Sequence, residues 1–268
     1  MILLVVIIYR NNLPLNEPLV TTLMPKLSVI IITKNESQNI ADCIKSANFA
    51  NEVIVLDSGS SDNTVSLAKK LGAKVFNKPW KGYGQQKNMA IQLTKHEWIF
   101  SLDADERITP ALKQEILKVI NRSDFNVYDV PRRSLFVSRF IKHSGWQPDR
   151  TKRLFKKGSA KFSEHHVHEH LESKYEIGHL LQPLIHYSYR DFEMVLKKIN
   201  VYSSLGAKDL KSKGKKGSLK KAILHALWAF IRAYIVRLGF LDGREGLMLA
   251  ISVAEGTYYR YIKLIYLK

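Results

Sequence analysis

The fold class is indicated by three segments: KLSVIIIT (residues 26–33), NEVIVLD (residues 51–57) and EWIFSL (residues 97–102). Each is a short run of mainly β-branched and other apolar residues, which is typical of a strand buried on both faces of a parallel sheet. A further strand is predicted at residues 73–76, and helices are predicted between the strands, at residues 39–47, 63–71 and 85–94. This alternation predicts an α/β fold with a doubly wound, mostly parallel sheet and helices on both faces.

The second half of the chain has a looser pattern. Thr109 and Pro110 predict the start of a helix that runs to about Asn121, because proline favours the first helical position. Strands are predicted at residues 125–133 and 150–156, and the chain is predicted to be helical from about Asp191 onward. We therefore expect three regions: an uncertain N-terminal extension at residues 1–24, an α/β domain at residues 25–195, and a basic helical region at residues 196–268.

The N-terminal extension begins with an apolar run at residues 1–9. This run is too short to span a bilayer, which needs roughly 20 residues. It also lacks the basic start and the small-residue cleavage site of a signal peptide. Since Met24 stands just before the first patterned strand, we expect it to be the true start, with residues 1–23 a loose extension or a start-site artefact.

The charge balance restricts the partners. There are 42 Lys and Arg residues against 24 Asp and Glu, a formal net charge of +18. Such a field favours polyanions, including nucleic acid, anionic membranes and phosphorylated substrates. A nucleic-acid partner is not expected, because the lysines do not interleave with aromatic residues and no nucleic-acid-binding motif occurs.

The chain has one cysteine, Cys43, so no intramolecular disulfide can form. A reducing, cytoplasmic compartment is therefore expected. We expect Cys43 to be a small packed residue of the core and not a nucleophile.

Lysines crowd residues 208–221, just before an apolar stretch at residues 222–241. His225, Arg232 and Arg237 interrupt that stretch and disfavour a membrane-spanning helix. A basic amphipathic helix on an anionic membrane surface is expected, which would put the protein at the inner face of the cell membrane. The alternative is a helix packed on the α/β domain behind a solvated lysine loop.

Asp103 and Asp105 follow the strand at residues 97–102 directly. Side chains two residues apart on an extended backbone face the same way, here at the strand end where open α/β sheets bind ligands. Neighbouring carboxylates repel each other unless a cation lies close by. The pair is typical of an Mg²⁺ or Mn²⁺ site that shares its ion with substrate phosphates. The alternative is a solvated acidic turn.

The segment DSGSSDNT (residues 57–64) follows another strand. Asp57 can accept hydrogen bonds from a nucleobase or ribose, and Gly59 lets the backbone approach a ligand closely. The alternative is a strand-to-helix turn capped by Asp62. The sequence contains neither the dinucleotide-binding fingerprint nor a P-loop.

Four motifs in order carry a family resemblance: LSVIIITKNES (residues 27–37), VIVLDSGSSDNT (residues 53–64), GQQKNMAI (residues 84–91) and WIFSLDADE (residues 98–106). Together they resemble the family 2 inverting glycosyltransferases of the GT-A fold. The resemblance implies a GT-A catalytic domain at residues 25–195 with a helical C-terminal extension. A sugar nucleotidyltransferase is disfavoured, because KNES at residues 34–37 lacks the glycine-rich loop expected there.

The resemblance also implies roles for individual residues. A nucleotide-sugar donor would lie with its base and ribose by Thr33 and Glu36 and with its base on Asp57. Asp103 would contact the ribose or the metal, and Asp105 the metal that bridges the diphosphate. The residues expected to bind the donor are Thr33, Glu36, Asp57, Gly59, Lys87, Asn88, Asp103 and Arg153.

Three later motifs, GWQPD (residues 145–149), RLF (residues 153–155) and VHE (residues 167–169), resemble a narrower branch. This branch consists of lipopolysaccharide inner-core β-1,4-glucosyltransferases that act on heptose. The resemblance implies UDP-glucose as donor and a core heptose or related glycolipid as acceptor. The alternative is a different nucleotide sugar as donor and another cell-surface glycan as acceptor.

An inverting transfer needs a carboxylate to take the proton of the acceptor hydroxyl. Glu169 is the expected general base, and Asp149 is its rival. The leaving diphosphate needs positive charge, for which Arg150 and Arg153 are candidates beside the metal.

Two further sets of side chains have competing interpretations. Among the histidines at positions 165, 166, 168 and 170, His168 is expected to orient the diphosphate or the metal. The alternatives are a separate zinc site and surface histidines without a function. Trp80 and Trp146 flank loops near the expected site. Trp146 is expected either to stack on a sugar or to pack in the core.

Overall fold

Four parallel strands form the first half of a mixed sheet. The computed structural model describes residues 25–163 and 169–267. The strands and the helices that connect them are β1 (Leu27–Thr33), α1 (Ile40–Ser46), β2 (Glu52–Asp57), α2 (Thr64–Lys70), β3 (Lys74–Asn77), α3 (Tyr83–Gln92) and β4 (Trp98–Asp103). In the sheet the strands lie in the order β3–β2–β1–β4. The predicted doubly wound α/β fold is confirmed.

The second half of the sheet mixes strand directions. Its elements are β5 (Glu106–Ile108), α4 (Pro110–Arg122), β6 (Val127–Phe136), β7 (Arg139–Phe140), β8 (Arg150–Lys156), β9 (Lys161–Phe162), β10 (Leu171–Glu172), β11 (Ile177–His179) and β12 (Leu184–Tyr189). Beyond β4 the order continues β8–β6–β12–β5, and β8 runs antiparallel to both β4 and β6. Two short strands, β7 and β11, pair with β6, while β9 and β10 form a separate two-stranded sheet.

Strand β1 is buried along its whole length, since it lies between β2 and β4 with both faces covered. Val29 and Ile31 pack into the core on one face, and Ile30 and Ile32 into the core on the other. A central strand therefore favours apolar residues on both faces, which explains the unbroken apolar run at residues 29–32. Each such side chain contributes roughly 1.5–3 kcal/mol by leaving water.

Helix α4 begins as predicted. The Thr109 hydroxyl accepts a hydrogen bond from the Leu112 amide at 3.1 Å, and Pro110 occupies the first turn, where its missing N–H is not needed. Cys43 is fully buried in the core, as predicted. The strand predicted at residues 125–133 runs further, to Phe136, because its later half pairs with β12.

The C-terminal part consists of α5 (Phe192–Ser212), α6 (Leu219–Ile231) and α7 (Gly243–Tyr266). The predicted boundary at residue 195 falls inside α5. The apolar stretch at residues 222–241 is not one helix, since a π turn at Arg232–Val236 and a 3₁₀ turn at Gly239–Asp242 interrupt it. Gly239 is required there, because a Cβ at this position would lie 2.5 Å from the Ser144 hydroxyl.

No single helix in the described ranges is long and apolar enough to cross a membrane. The segments 219–236 and 239–266 pass that test only as a pair bent by 70°. Residues 1–24, which include the predicted start at Met24, lie outside the described part.

Glu52, at the start of β2, is a buried carboxylate far along the strand from the predicted site. It accepts hydrogen bonds from the Ser28 hydroxyl at 2.7 Å, the Lys74 ammonium at 2.7 Å and the Lys95 amide at 2.6 Å. Burial acts to raise the pKa of Glu52, but these hydrogen bonds outweigh it and lower the pKa to about 2. The ionised form therefore stabilises the fold.

We predict that Glu52→Gln lowers the free energy of unfolding by about 2 kcal/mol at neutral pH, since charged hydrogen bonds are lost. The folded pKa lies below the unfolded one, so this stabilisation is complete above about pH 4.5 and disappears as the pH falls towards about 2. Urea unfolding of the wild type and Glu52→Gln across that pH range measures this stabilisation. The control is Glu176→Gln, at an exposed position. If the free-energy difference between wild type and Glu52→Gln does not change with pH, Glu52 is not the stabilising ionised group.

Candidate active site

A cavity of about 830 Å³ opens at the carboxyl ends of β1 and β4. Thr33 ends β1, and Asp103 ends β4. Of the residues predicted for the site, Thr33, Glu36, Lys87, Asp103, Asp105 and Glu169 line this cavity. The sequence did not single out Tyr83, Arg132, His186, Lys197, Lys198, Val201, Tyr202 and Leu205, which also line it.

Asp103 lies between two cations. One carboxylate oxygen is 2.9 Å from the Lys87 ammonium, and the other is 2.6 Å from the Arg153 guanidinium. Burial acts to raise the pKa of Asp103, but the charges of Arg153 and Lys87 outweigh it and hold the pKa well below its usual range. Asp103 is thus an ionised carboxylate with both oxygens paired.

Glu106 is a fully buried carboxylate that the sequence analysis did not single out. One oxygen accepts from Arg153 at 2.6 Å and lies 3.4 Å from Arg132, while the other accepts from the Asp103 amide at 3.0 Å. Asp103 and Glu106 together raise the pKa of Arg153, although burial acts to lower it. A buried charge is tolerated only when it is paired and hydrogen-bonded in this way.

These contacts form one chain of ion pairs with alternating sign, which we call the ion chain. Arg132 extends it by donating to Asp149 at 2.8 Å, and Lys87 extends it at the other end, 3.2 Å from Glu169. In order, its members are Glu169, Lys87, Asp103, Arg153, Glu106, Arg132 and Asp149. The two rival candidates for the general base therefore occupy its two ends.

Asp105 contacts a different partner. Its carboxylate lies 3.3 Å from His186 Nε2 on β12, and its side chain is 27% exposed. Burial acts to raise the pKa of Asp105, but the hydrogen bond with His186 and the charge of that ring lower it overall. The aspartates of the D-x-D motif both line the cavity but differ in their partners: Asp103 pairs with two cations, whereas Asp105 contacts a histidine.

Two further residues of the cavity have polar groups suited to a nucleoside. The Thr33 hydroxyl is buried and has no hydrogen-bond partner among the described residues. Glu36 accepts from the Asn39 amide group at 2.6 Å. Burial raises the pKa of Glu36 above its ordinary value despite that hydrogen bond.

Three predicted donor-binding residues use their polar groups within the protein. Asp57 is buried and accepts hydrogen bonds from the Gly59 and Ser60 amides at 2.9 and 2.8 Å. Gly59 has a φ of +86°, which explains the glycine. Asn88 both donates to and accepts from the Phe162 backbone at 2.8 Å. Their roles towards a donor stay predictions.

The two candidate tryptophans lie in different surroundings. Trp80 lines the cavity and is half exposed, and its ring centroid lies 4.7 Å from that of Tyr83. Trp146 instead packs between aromatic rings, so the core interpretation is correct. Its ring stacks on Tyr189 with centroids 5.9 Å apart and lies edge-on to Phe136. His168 lies outside the described residues. Within the part that is described, no group of three or more His, Cys, Asp or Glu side chains could hold a metal.

Sequence reasoning missed Glu106 although it directly continues the D-x-D motif. A third acidic residue directly after the D-x-D motif was the available signal. Arg132 and His186 gave no such signal, because they lie on β6 and β12, which reach the site only through the sheet.

We predict that Glu106→Gln lowers the free energy of unfolding by about 3–5 kcal/mol, because Arg153 keeps a buried charge, and Arg132 a partly buried one, without their shared carboxylate. Glu97→Gln is the matched control: Glu97 pairs with Lys156 at the surface, and its side chain is 58% exposed. That change should cost less than about 1 kcal/mol. Urea unfolding measures both, and equal effects would contradict a central role for Glu106.

The model of the family described as "Glycosyl transferase family 2" matches residues 28–199. An uncharacterized glycosyltransferase of Rickettsia conorii is 35% identical over 263 residues, covering 91% of each chain. The lipopolysaccharide core biosynthesis glycosyltransferase LpsC of Rhizobium meliloti is 28% identical over 256 residues, covering 89% of this chain and 95% of LpsC.

Among solved structures, residues 1–349 of S. aureus TarS match with a TM-score of 0.49 and 16% identity, over 87% of this chain and 89% of TarS. Glucosyl-3-phosphoglycerate synthase of Mycobacterium tuberculosis, in complex with Mn²⁺ and UDP, matches with a TM-score of 0.36 and 23% identity, over 41% of this chain and 44% of that one. The family match, the Rickettsia relative and the observed sheet are sufficient: the chain belongs to glycosyl transferase family 2, with the GT-A fold that the motifs predicted.

Proposed function

We propose that this chain is an inverting, metal-dependent glycosyltransferase that transfers glucose from UDP-glucose to a heptose of the lipopolysaccharide core or a related glycolipid. The observation that carries the proposal is the cavity at the ends of β1 and β4, which Asp105 and Glu169 both line. The name of the relative LpsC, which refers to lipopolysaccharide core biosynthesis, supports the acceptor class. With this donor and acceptor, the enzyme would act in the cytoplasm, at the inner face of the cell membrane.

In this proposal the nucleoside lies against the end of β1. The unpartnered Thr33 hydroxyl is available to a base or ribose, and Glu36 can accept hydrogen bonds from ribose hydroxyls. A buried polar group without a partner costs free energy that a ligand can recover. These contacts would orient the donor with its diphosphate towards the end of β4.

The residues present fit a divalent cation shared with the donor. Mg²⁺ and Mn²⁺ prefer oxygen ligands and are commonly bound through one or two carboxylates plus substrate phosphates. Asp105 offers such a carboxylate to the cavity, while both oxygens of Asp103 already pair with Lys87 and Arg153. We therefore assign the cation to Asp105. When bound, it would neutralise charge on the diphosphate leaving group.

The protein's own cations would add to that effect. Lys87 lines the cavity, and Arg153 is held rigidly by Asp103 and Glu106. Fixed charges of this kind stabilise a leaving group without having to reorganise during the reaction. Lys87 is the nearer candidate to contact the diphosphate, and Arg153 keeps Asp103 in place beside it.

Glu169 is our proposed general base. The acceptor oxygen attacks the anomeric carbon as the bond to the diphosphate breaks, and the hydroxyl proton passes to a carboxylate. Glu169 lines the cavity, and Lys87 orients it from 3.2 Å. Asp149 does not line that cavity, and its carboxylate accepts a hydrogen bond from Arg132.

We expect Asp105→Ala to abolish metal-dependent donor binding and to reduce transfer by about 100-fold or more. Calorimetric titration with UDP-glucose, with and without Mn²⁺, measures the binding. UDP-galactose, UDP-N-acetylglucosamine and GDP-mannose test the donor choice. Asp42→Asn, on the exposed face of α1, is the control. Unchanged Mn²⁺-dependent binding in Asp105→Ala would remove the metal assignment.

For the base, Glu169→Gln should keep donor binding and lose about 10²- to 10⁴-fold in transfer, the range for general-base catalysis. Asp149→Asn serves as the comparison, with transfer to a heptose-containing acceptor measured for both. If Asp149→Asn loses transfer while Glu169→Gln does not, the base is Asp149.

A further inference from the structure

Helices α6 and α7, with the turns at residues 232–242 between them, form what we call the C-terminal hairpin. Helix α6 packs on α7, and His225 stacks on Tyr261 with ring centroids 4.5 Å apart. Ala222, on the packed side of α6, is fully buried. The hairpin is thus an ordered element with one side covered.

The other side of α6 is apolar and exposed. Its large side chains are each more than half exposed, and their spacing of four, one, three and one residues puts them on one helical face. They are Leu219, Ile223, Leu224, Leu227 and Trp228. A helix on a globular protein normally turns such a stripe towards the core.

The apolar surface continues through the turns. Five further large side chains are between 44% and 61% exposed there: Ile235, Val236, Leu238, Phe240 and Leu241. Contiguous exposed apolar surface of this kind marks an interaction site.

The flanking charges are basic. Six lysines from the last turn of α5 to the first turn of α6 are exposed, as are two arginines in the turns of the hairpin. They are Lys211, Lys213, Lys215, Lys216, Lys220, Lys221, Arg232 and Arg237. In residues 208–221 the one acidic residue is Asp209. An apolar face bordered by cations is complementary to an anionic bilayer, with its charged headgroups above acyl chains.

We propose that the C-terminal hairpin is a bilayer-docking surface, which lays the apolar face of α6 and its turns into the interface of an anionic membrane while the lysines bind headgroup phosphates. The inference deepens the location given in the proposed function and rests on it for the lipid-borne acceptor. A second copy of this chain is a poorer occupant, because a net charge of +18 opposes bringing two lysine-rich surfaces together.

The hairpin is fastened to the loop that precedes β8. The buried Asp242 carboxylate accepts from the amides of Lys142 and His143 at 3.1 and 2.8 Å. The Ser144 amide donates to the Arg237 carbonyl at 2.9 Å. Docking would therefore fix the position of the segment that leads to Asp149 at one end of the ion chain.

Helix α5 provides a second connection. Near its middle, Asn200 and Ser203 accept hydrogen bonds from Lys263 of α7 at 2.7 and 2.8 Å. Tyr202 and Leu205, on another side of the same helix, line the cavity. A membrane bound to the hairpin would thus lie at a fixed orientation to the cavity, as transfer to an acceptor anchored in that membrane requires.

The test is co-sedimentation of the full chain with vesicles of phosphatidylcholine alone or mixed with phosphatidylglycerol. We expect binding to the mixed vesicles only, weakened by salt. The variant Leu224→Ser/Leu227→Ser/Trp228→Ser should lose about 100-fold or more in affinity, since three apolar side chains no longer enter the bilayer. The variant Lys215→Gln/Lys216→Gln/Lys220→Gln should lose about fivefold per lysine.

Matched controls lie outside the hairpin. Leu181→Ser removes an apolar side chain that is 75% exposed, and Lys69→Gln/Lys70→Gln removes two exposed lysines of α2. Neither should change vesicle binding. Absence of wild-type binding, or equal losses in variants and controls, would overturn the proposal. So would a wild-type dimer that the triple serine variant converts to a monomer, or resistance to alkaline extraction from the vesicles, which would indicate spanning.

Calorimetry with UDP-glucose keeps this proposal separate from the proposed function. The hairpin variants should bind the donor as the wild type does. If wild type binds vesicles but no nucleotide sugar, the proposed function fails and the docking surface stands. If it binds donor but no vesicles, the docking surface alone fails.

Discussion

The buried contact between Arg153 and Glu106 is the interaction on which the site depends. Neither charge could remain in the interior alone, since removing an ion from water costs several kcal/mol. Their pairing at 2.6 Å joins β8 to the segment just after β4, and the second oxygen of Glu106 holds the Asp103 amide. The carboxyl end of β4 is therefore fixed by electrostatics as well as by the sheet.

The ion chain built on this contact separates the functions of nearby carboxylates. Asp103 and Asp105 both line the cavity, but both oxygens of Asp103 pair with cations, whereas Asp105 contacts His186. Glu169 pairs with Lys87 at one end of the ion chain, and Asp149 pairs with Arg132 at the other. A change of charge at any member can therefore alter the electrostatic environment of both candidate bases. Acidic residues with similar sequence surroundings thus acquire different chemistry from their neighbours in space.

The C-terminal helices take part in the same arrangement. Helix α5 lines the cavity with one side and binds α7 with another, and Asp242 holds the loop before β8. A boundary at residue 195 describes a change in composition, but α5 contributes to both parts. The lysine-rich, apolar C-terminal region is therefore connected through α5 to the wall of the cavity.

Local patterns in the sequence predict the parallel strands, the helix starting at Pro110 and the position of Asp103 and Asp105 at a strand end, because burial patterns, caps and strand geometry act over a few residues. Three other features arise from tertiary contacts: Glu106 pairs with Arg153 and Arg132, Trp146 packs on Tyr189, and residues 232–242 break the last apolar stretch. The paired side chains are 26 or more residues apart in the sequence. The turns at residues 232–242 depend on the close approach of Gly239 to Ser144. Contacts at such separations leave no local pattern, since the sheet order and not the spacing along the chain brings the groups together.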